Sequence, residues 1–391
     1  MGNIIFISLS CYGVLSRCWD SITRRATSVG LEGALSNPSP SWDGRFDDDL
    51  IAEILSRLPA ESLLRFRCVC KSWLALISDP YFARKHISTY ISRLKLLVTV
   101  NPTRSIDFEA ILKDDYRVGY TVLPEAPRLW VLGSCNGLIC REEDEGGDLI
   151  LWNPSTRDTY KLPEQIETRY RQFFGFGYDS TNEDYKVIVG LQTEITVFTL
   201  KTGSWKIVEQ SEYVGRFYGE GCLLNGALHW LEDRRSKFTI ISFDLAEEKF
   251  QELPSPNICR KEISSRLGIG KTIGNCLFLY LYDSKRHTSQ TGIAFTIWVL
   301  KEYGVNESWT RVVQIPSSSL SPRHIFDYKP ISVLEDDKVL MNRISKRSQW
   351  NHLVLYNPKE NRQKKYRRLI HDYYIMPKLY VETLVSPKTG R

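Results

Sequence analysis

RFDDDLIAEILSRLPAESLLRFRCVCKSWLALISDPYFARKHI, Arg45 to Ile87, places its apolar residues in three short groups at helical spacing. The groups are Leu50, Ile51, Ile54, Leu55 and Leu58, then Leu63, Leu64 and Phe66, then Val69, Trp73, Leu76 and Ile77. The spacing predicts three short helices. Asp47, Asp48 and Asp49 cap and charge the start of the first, and Pro59 ends it; Glu61 and Ser62 open the second, and Asp79-Pro80 closes the third. Helices this short are marginal alone, and about 40 residues bury too little apolar surface for a comfortable independent domain. Their apolar faces need a partner.

In register and without gaps, Asp49-Leu50-Ile51, Ile54 to Pro59, Ser62 to Arg67 and Val69 to Trp73 resemble an F-box, the helical module that docks substrate receptors onto the Skp1 adaptor of cullin-RING ubiquitin ligases. The resemblance implies that Leu50, Ile54, Leu58, Pro59, Leu63 and Trp73 contact Skp1 through apolar surface and Arg67 through a polar contact. Which of them faces Skp1 and which the local core is left open by the pattern. One place departs from the family: Phe46-Asp47 stand where Leu-Pro usually precedes the acidic residue.

Upstream, residues 1–45 read as an unstructured extension and linker. MGNIIFISLSCYGVL is apolar but lacks the basic start of a secretory signal and is too short to span a bilayer, and SNPSPSWDGR is rich in Ser, Pro and Gly. Downstream, from about Leu94, the pattern becomes one of short strands rich in Val, Ile, Phe, Tyr and Trp, such as DLILWNP, DYKVIVGL, KFTIISFDL and NCLFLYLY. Helical periodicity is essentially absent there.

These strands repeat. Leu151-Trp152-Asn153-Pro154 with Lys161-Leu162-Pro163, Val197 to Leu200 with Gly203-Ser204-Trp205, Ile241 to Asp244 with Glu252-Leu253-Pro254, Ile297 to Leu300 with Ser308-Trp309-Thr310, and Val354 to Pro358 recur roughly every 45 to 57 residues. Turns at Asn136-Gly137, Asn225-Gly226 and Gly274-Asn275 permit positive φ and start strands. A four-stranded unit of this kind cannot bury both faces alone, whereas radial stacking covers them. The expectation is a propeller of about six blades, with 94–125 in the first and Lys378 to Val385 closing the ring.

Gly133 to Cys140, Leu151 to Thr156, Phe174 to Asp179, Asp184 to Val187 and Asn225 to Leu231 together resemble the plant F-box-associated domain of kelch-like F-box proteins. This implies an α+β multidomain chain: an F-box at 46–87 and an all-β kelch-like propeller at 94–386.

Composition narrows the function. With 391 residues, 42 % hydrophobic and 25 % charged, no run approaches the roughly 20 apolar residues of a membrane span. A net charge of +6 is modest for nucleic-acid binding. The nine cysteines include no Cys-x-x-Cys pair and the six histidines are scattered, so neither a metal nor a cofactor is expected, and a reducing compartment, cytoplasmic or nuclear, fits. Gly268-Ile269-Gly270-Lys271-Thr272 lacks the first glycine of a phosphate loop and leads into a strand; Gly175-Phe176-Gly177 reads as a turn. His229, between Leu228 and Trp230, reads as a structural histidine, and Lys359 to Arg368 as a solvated turn.

The combined expectation is a non-catalytic substrate receptor of an SCF ubiquitin ligase, holding Skp1 and through it cullin-1 and a RING protein, while the propeller binds a target protein. The rivals are a Skp1-binding adaptor without target turnover and a propeller lectin or enzyme. Long or polar connections at Glu142 to Asp148, Asp283 to Gln290 and Ser317 to His324 are the expected target-binding loops, with Tyr282, Arg286 and Arg323 beside or within them.

Overall fold

The computed structural model describes residues 48–389 apart from 88–93, 100–101, 114–118, 124–128, 144–146, 165–170, 192–193, 209–216, 218, 235–236, 257–265, 283–292, 320–325, 346–351 and 367–376. The expected extension at 1–45 and the divergent pair Phe46-Asp47 lie outside the described residues. The chain divides into two compact units, Met1–Phe82 and Ala83–Arg391.

Four helices replace the expected three: α1 Asp48–Ser56, α2 Ala60–Phe66, α3 Lys71–Ser78 and α4 Pro80–Ile87, the last lying across the unit boundary. Pro59 has the extended ψ of 148°, and its carbonyl accepts the Ser62 and Leu63 N–H groups at 3.0 and 3.1 Å, so it opens α2 after α1 has ended. The Cys70 thiol accepts the Trp73 N–H at 3.5 Å at the start of α3. Asp79-Pro80 closes α3 and also begins α4. Asp79 Oδ1 accepts the Tyr81 and Phe82 N–H groups at 2.7 and 3.2 Å, and a proline at the first helical position has no N–H to satisfy. The two residues that stop one helix are thus the start signal of the next. Leu55, Ala60, Leu63 and Ile77, brought together from α1, α2 and α3, are buried in the helical unit.

The second unit is a ring of six sheets. Blade one takes its first strand from the end of the chain: Lys378–Val381 pairs antiparallel with Leu94–Val98, Leu94 opposite Val381 and Leu97 opposite Lys378, ahead of Thr103–Asp107 and Tyr120–Leu123. Blades two to six each use four consecutive strands, starting at Leu129–Cys135, Phe173–Asp179, Cys222–Leu224, Arg266–Lys271 and Phe326–Val333. Blade three gains a fifth, Gly219–Glu220, parallel to its first. First strands neighbour one another around the axis. Middle strands covered by blades on both faces are largely buried, as in Leu277–Tyr282, where all six residues are buried. Fourth strands face outward and alternate, as in Lys249–Leu253. Charges along these free edges discourage pairing with other chains.

The Asn-Gly turns are left-handed as expected, with φ of 48° and 80° at Asn136-Gly137 and 48° and 73° at Asn225-Gly226, the backbone of tight hairpins. Three expectations change. Gly175-Phe176-Gly177 is not a turn but the middle of the strand Phe173–Asp179. A Cβ on Gly175 would come within 2.6 Å of Leu228, and one on Gly177 within 2.6 Å of Leu245, so the glycines let blade four press close. Within Lys359 to Arg368, the turn is confined to Lys359–Asn361, and Arg362–Tyr366 is the outer strand of blade six; Arg367 and Arg368 lie outside the described residues. A short helix, α5 Phe108–Leu112, interrupts blade one, capped by Asp107 accepting from Glu109 and Ala110 N–H.

Candidate functional site

The helical unit leaves apolar surface uncovered. Leu50 is 50 % exposed and Leu74 47 %, and Ile51, Ile54, Leu58, Leu64, Phe66, Val69, Trp73 and Leu76 are half-buried. Trp73 packs edge-on against Phe66, ring centroids 5.4 Å apart, which fixes the indole without covering it. Salt bridges Glu53–Arg57 and Glu61–Arg65 run along α1 and α2, spaced to brace exposed turns. Of the residues the F-box resemblance assigns to Skp1, Leu50 and Pro59 are exposed and Ile54, Leu58, Arg67 and Trp73 partly so. Leu63 is a correction. It has no accessible surface, because α2 turns it inward, away from solvent.

Tyr282 is a second correction. It is buried between the rings of Phe295 and Tyr328, at 5.7 and 6.3 Å, because a second strand is covered by blades on both sides. Arg286, Arg323 and the whole segment 283–290 lie outside the described residues, as do 320–324. The loop expected from Glu142 begins later than that: Glu142 and Glu143 end the strand Leu138–Glu143, and the buried Glu142 carboxylate is held by both terminal nitrogens of Arg171.

The propeller motifs serve its seams. Asn153 donates to the Thr383 and Val385 carbonyls at 3.1 and 2.8 Å, fixing the C-terminal segment to blade two, while its Oδ1 accepts Ser155 N–H at 2.8 Å. Gly137 admits that segment, since a Cβ there would overlap the Thr383 side chain. Trp205 of blade three donates to the Pro163 carbonyl of blade two at 3.0 Å, and Trp309 of blade five does the same to Pro254 of blade four. The buried Lys186 of blade three joins Asp179 at 3.1 Å and Glu248 of blade four at 2.9 Å. Tyr366 of blade six donates to the Ile111 carbonyl at 2.7 Å, tying it to blade one. Sequence reading missed these roles although the repeated Trp and Leu-Pro pairs were a usable signal.

His229 is held as a structural histidine. Its Nδ1 lies 3.0 Å from the Cys222 carbonyl, which can only accept, so Nδ1 carries the proton and Nε2 accepts the Tyr303 hydroxyl at 2.7 Å. Burial lowers its pKa to about 4, and burial raises the tyrosine's to about 12. The thiols of Cys135, Cys140 and Cys222 are pushed up to about 12 by burial, opposite to what a nucleophile needs. Gly268 and Gly270 lie in the strand Arg266–Lys271, with no phosphate-binding helix after it. Among the described residues no three His, Cys, Asp or Glu side chains gather as a metal site, and no helix is long and apolar enough to cross a membrane.

A short helical module with an uncovered apolar face, followed by a closed six-bladed ring, defines a two-part protein in which a helical module precedes a propeller. Residues 45–85 match the F-box domain family, residues 92–386 match the F-box associated beta propeller domain family, and the chain belongs to the plant F-box proteins that carry this propeller. It is 30 % identical over 295 residues to the F-box/kelch-repeat protein At3g23880 of Arabidopsis thaliana, covering 68 % of this chain and 79 % of that one. It is 30 % identical over 337 residues to F-box protein CPR1 of the same plant, covering 75 % and 78 %. A solved structure, TolB from Acinetobacter baumannii, is similar at TM-score 0.46 and 10 % identity over 80 % of this chain and 73 % of that one, too distant to bear on function. Families combining these two domains are typical of SCF substrate-recognition subunits and are generally not enzymes.

Proposed function

We propose that this chain is the non-catalytic substrate receptor of an SCF ubiquitin ligase: the helical unit docks Skp1, and through it cullin-1 and a RING protein, while the propeller presents a target protein for ubiquitination. The observation that carries the reading is the uncovered apolar face of α1 to α3, with Leu50, Ile54, Leu58, Pro59 and Trp73 accessible in a module whose own core holds few side chains. Such a face gains stability by burial against another chain. The contribution to ubiquitin transfer is positional, since holding a target lysine near the charged E2 replaces a bimolecular encounter by a local one. This work takes place in the cytoplasm or nucleus. Target recognition falls to the connections at 283–290 and 317–324, with Arg286 and Arg323 as contacts.

The test is co-purification of Skp1 with the full chain and with a Leu58→Ala/Pro59→Ala variant, followed by measurement of target half-life. Skp1 retained by the wild type and lost by the variant is expected, with targets trapped by proximity labelling in the variant living longer. Equal Skp1 recovery from both would refute the docking assignment; lost Skp1 with unchanged target half-life would leave an adaptor without turnover. Replacing 283–290 and 317–324 with Gly-Ser turns should abolish target capture and leave Skp1 binding intact.

A further inference from the structure

Five of the six blades end, at the outer rim of the ring, in a strand that carries Lys, Arg or Glu: Thr159–Lys161, Ser204–Val208, Lys249–Leu253, Trp309–Pro316 and Arg362–Tyr366. Blade one does not. Its outer strand, Tyr120–Leu123, reads YTVL, and the successive residues Tyr120, Thr121 and Val122 are all exposed, so neither face of the strand is covered there. Tyr120 is 46 % exposed and Val122 41 %; with Leu112 of α5 they are three of the seven large apolar side chains that the described propeller leaves exposed. The edge of blade one thus lacks the charge that turns other chains away.

Basic groups flank this edge. Tyr120 and Val122 stand opposite Ile106 and Arg104 of the next strand, and Ile106 is buried in one cluster with Leu353, Leu355 and Tyr366, so this face of blade one is turned toward blade six. The Arg104 guanidinium lies 4.3 Å over the Tyr120 ring. On blade six, Lys364 and Tyr366 stand opposite Leu355 and Leu353 of the same cluster and so face blade one, with the Lys364 ammonium 5.1 Å over the Tyr366 ring. Arg362, two residues back along that strand, shares the face and is exposed. Between the blades lies α5, whose Phe108 and Ile111 enter the cluster and whose Ile111 carbonyl accepts the Tyr366 hydroxyl at 2.7 Å. The acidic side chains of both blades are placed or engaged elsewhere: Asp327 and Glu335 to Asp337 belong to the two inner strands of blade six and their turn, Asp107 caps α5 and meets Lys95 at 3.3 Å, and Glu109 pairs with Lys113 at 2.6 Å. In sequence, Lys113 to Val118 holds two acidic and two basic residues and Lys359 to Arg368 one acidic and six basic, so the charge along this rim is positive.

We propose that the outer rim between blades one and six docks an extended acidic peptide segment, which lies along the uncharged edge Tyr120–Leu123 and sets apolar side chains against Tyr120 and Val122 and carboxylates toward Arg104, Arg362 and Lys364. An open strand edge offers main-chain hydrogen bonds to an added strand, and the flanking side chains select what is added. Stacking on Tyr120 fixes the plane of the Arg104 guanidinium, the preparation that planar recognition of a carboxylate requires. A single-stranded nucleic acid fits less well: Arg104 takes one face of Tyr120 and Tyr366 is buried, so the rim has no pair of open rings on which bases could stack. A second copy of this chain fits less well too, since it would bring the same basic groups together. The site does not depend on Skp1 docking or on the connections at 283–290 and 317–324.

Fluorescence anisotropy of the full chain with a short labelled peptide of interspersed glutamates and leucines, in low-salt buffer, tests this. Saturable binding is expected, weakened about tenfold when glutamine replaces each glutamate of the peptide and about tenfold by Arg362→Gln/Lys364→Gln in the protein. Val122→Gln is the discriminating variant: it leaves every charge in place, so docking at this edge should weaken about threefold or more, whereas diffuse attraction to a basic surface would not change. Lys206→Gln/Lys249→Gln, on the outer strands of blades three and four, should bind as the wild type does, and so should a chain with Gly-Ser turns at 283–290 and 317–324. Absence of saturable binding, unchanged binding in Val122→Gln, an equal loss in Lys206→Gln/Lys249→Gln, tighter binding of single-stranded polyuridine than of the peptide, or a dimer in sedimentation that Val122→Gln abolishes would each overturn the proposal. Should Arg362→Gln/Lys364→Gln fail to fold by circular dichroism, Arg362→Gln alone and Val122→Gln decide.

Discussion

The helical unit and the propeller both carry strong family motifs, but the motif side chains end in opposite circumstances. In the propeller Asn153, Tyr185, Lys186 and Trp230 are buried, and Asn153, Lys186 and Trp230 are hydrogen-bonded to neighbouring blades or to the closing segment. In the helical unit Leu50 and Pro59 are exposed and Ile54, Leu58 and Trp73 remain partly uncovered. A motif saturated within its own chain accounts for a fold; a motif left uncovered points to a second molecule. The propeller motifs therefore specify blade assembly.

The sharpest way to break this contrast is to remove what the propeller motifs hold. Deleting 378–391 takes away the first strand of blade one and the buried Tyr380, Val381, Leu384 and Val385. At about 1.5–3 kcal/mol for each buried apolar side chain the loss is about 6–12 kcal/mol, comparable with the about 5–15 kcal/mol that stabilises a typical protein. Circular dichroism should show the whole β-rich unit losing its cooperative melt. A truncated chain that melts as the wild type does would show that the ring does not depend on closure.

The converse is expected from the helical unit. Leu58→Ala/Pro59→Ala trims side chains that are not in the core, so propeller melting should be unchanged while Skp1 affinity falls about 10- to 100-fold. Surface plasmon resonance on immobilised Skp1 measures the second effect and differential scanning calorimetry the first. A large fall in melting temperature with Skp1 affinity intact would invert the comparison.

Asn153 sharpens it at a single residue. Asn153→Ala removes two donors and leaves the Thr383 and Val385 carbonyls without them in a buried place, a cost of about 2–4 kcal/mol. Asn153→Asp keeps the acceptor for Ser155 N–H but turns a carboxylate toward the same carbonyls, so it should destabilise at least as much despite its shape. Urea denaturation gives both values. Skp1 binding should be untouched in either variant.

Much of this was readable from the chain itself. Alternating aromatic strands, Asn-Gly turns and a recurring Trp and Leu-Pro pattern carry the six blades, because local strand and turn chemistry agrees with the global ring at almost every step. Other features were hidden for physical reasons. Asp79-Pro80 is both a stop and a start, and the helix it begins, PYFARKHI, has a thin apolar stripe. Leu63 and Ile54 have the same helical character, and only the packing of α2 decides which is inside. Tyr282 looks like an exposed aromatic at a strand end until the blades on both sides are placed. Left-handed residues close outer turns four places after Asn153, Asp244 and Asn357, at Arg157, Glu248 and Asn361. No glycine marks those positions, so the turn repeat is visible only in the Asn or Asp that begins it.

The smallest effect concerns the seam between blades four and five, where His229 must stay neutral to accept the Tyr303 hydroxyl. Its folded pKa of about 4 lies below the ordinary 6.5, so protonation favours the unfolded chain. The stability from the neutral ring is fully present above pH 6.5 and is lost as the pH falls from 6.5 toward 4. Between pH 7 and pH 5 the loss is about 2 kcal/mol, in a range where most carboxylates stay ionised. His229→Gln offers an amide that does not titrate, so the variant should be less stable at pH 7 but nearly flat from pH 7 to pH 5. Urea denaturation midpoints across that range measure both slopes; the same slope in variant and wild type would move the acid sensitivity away from this seam.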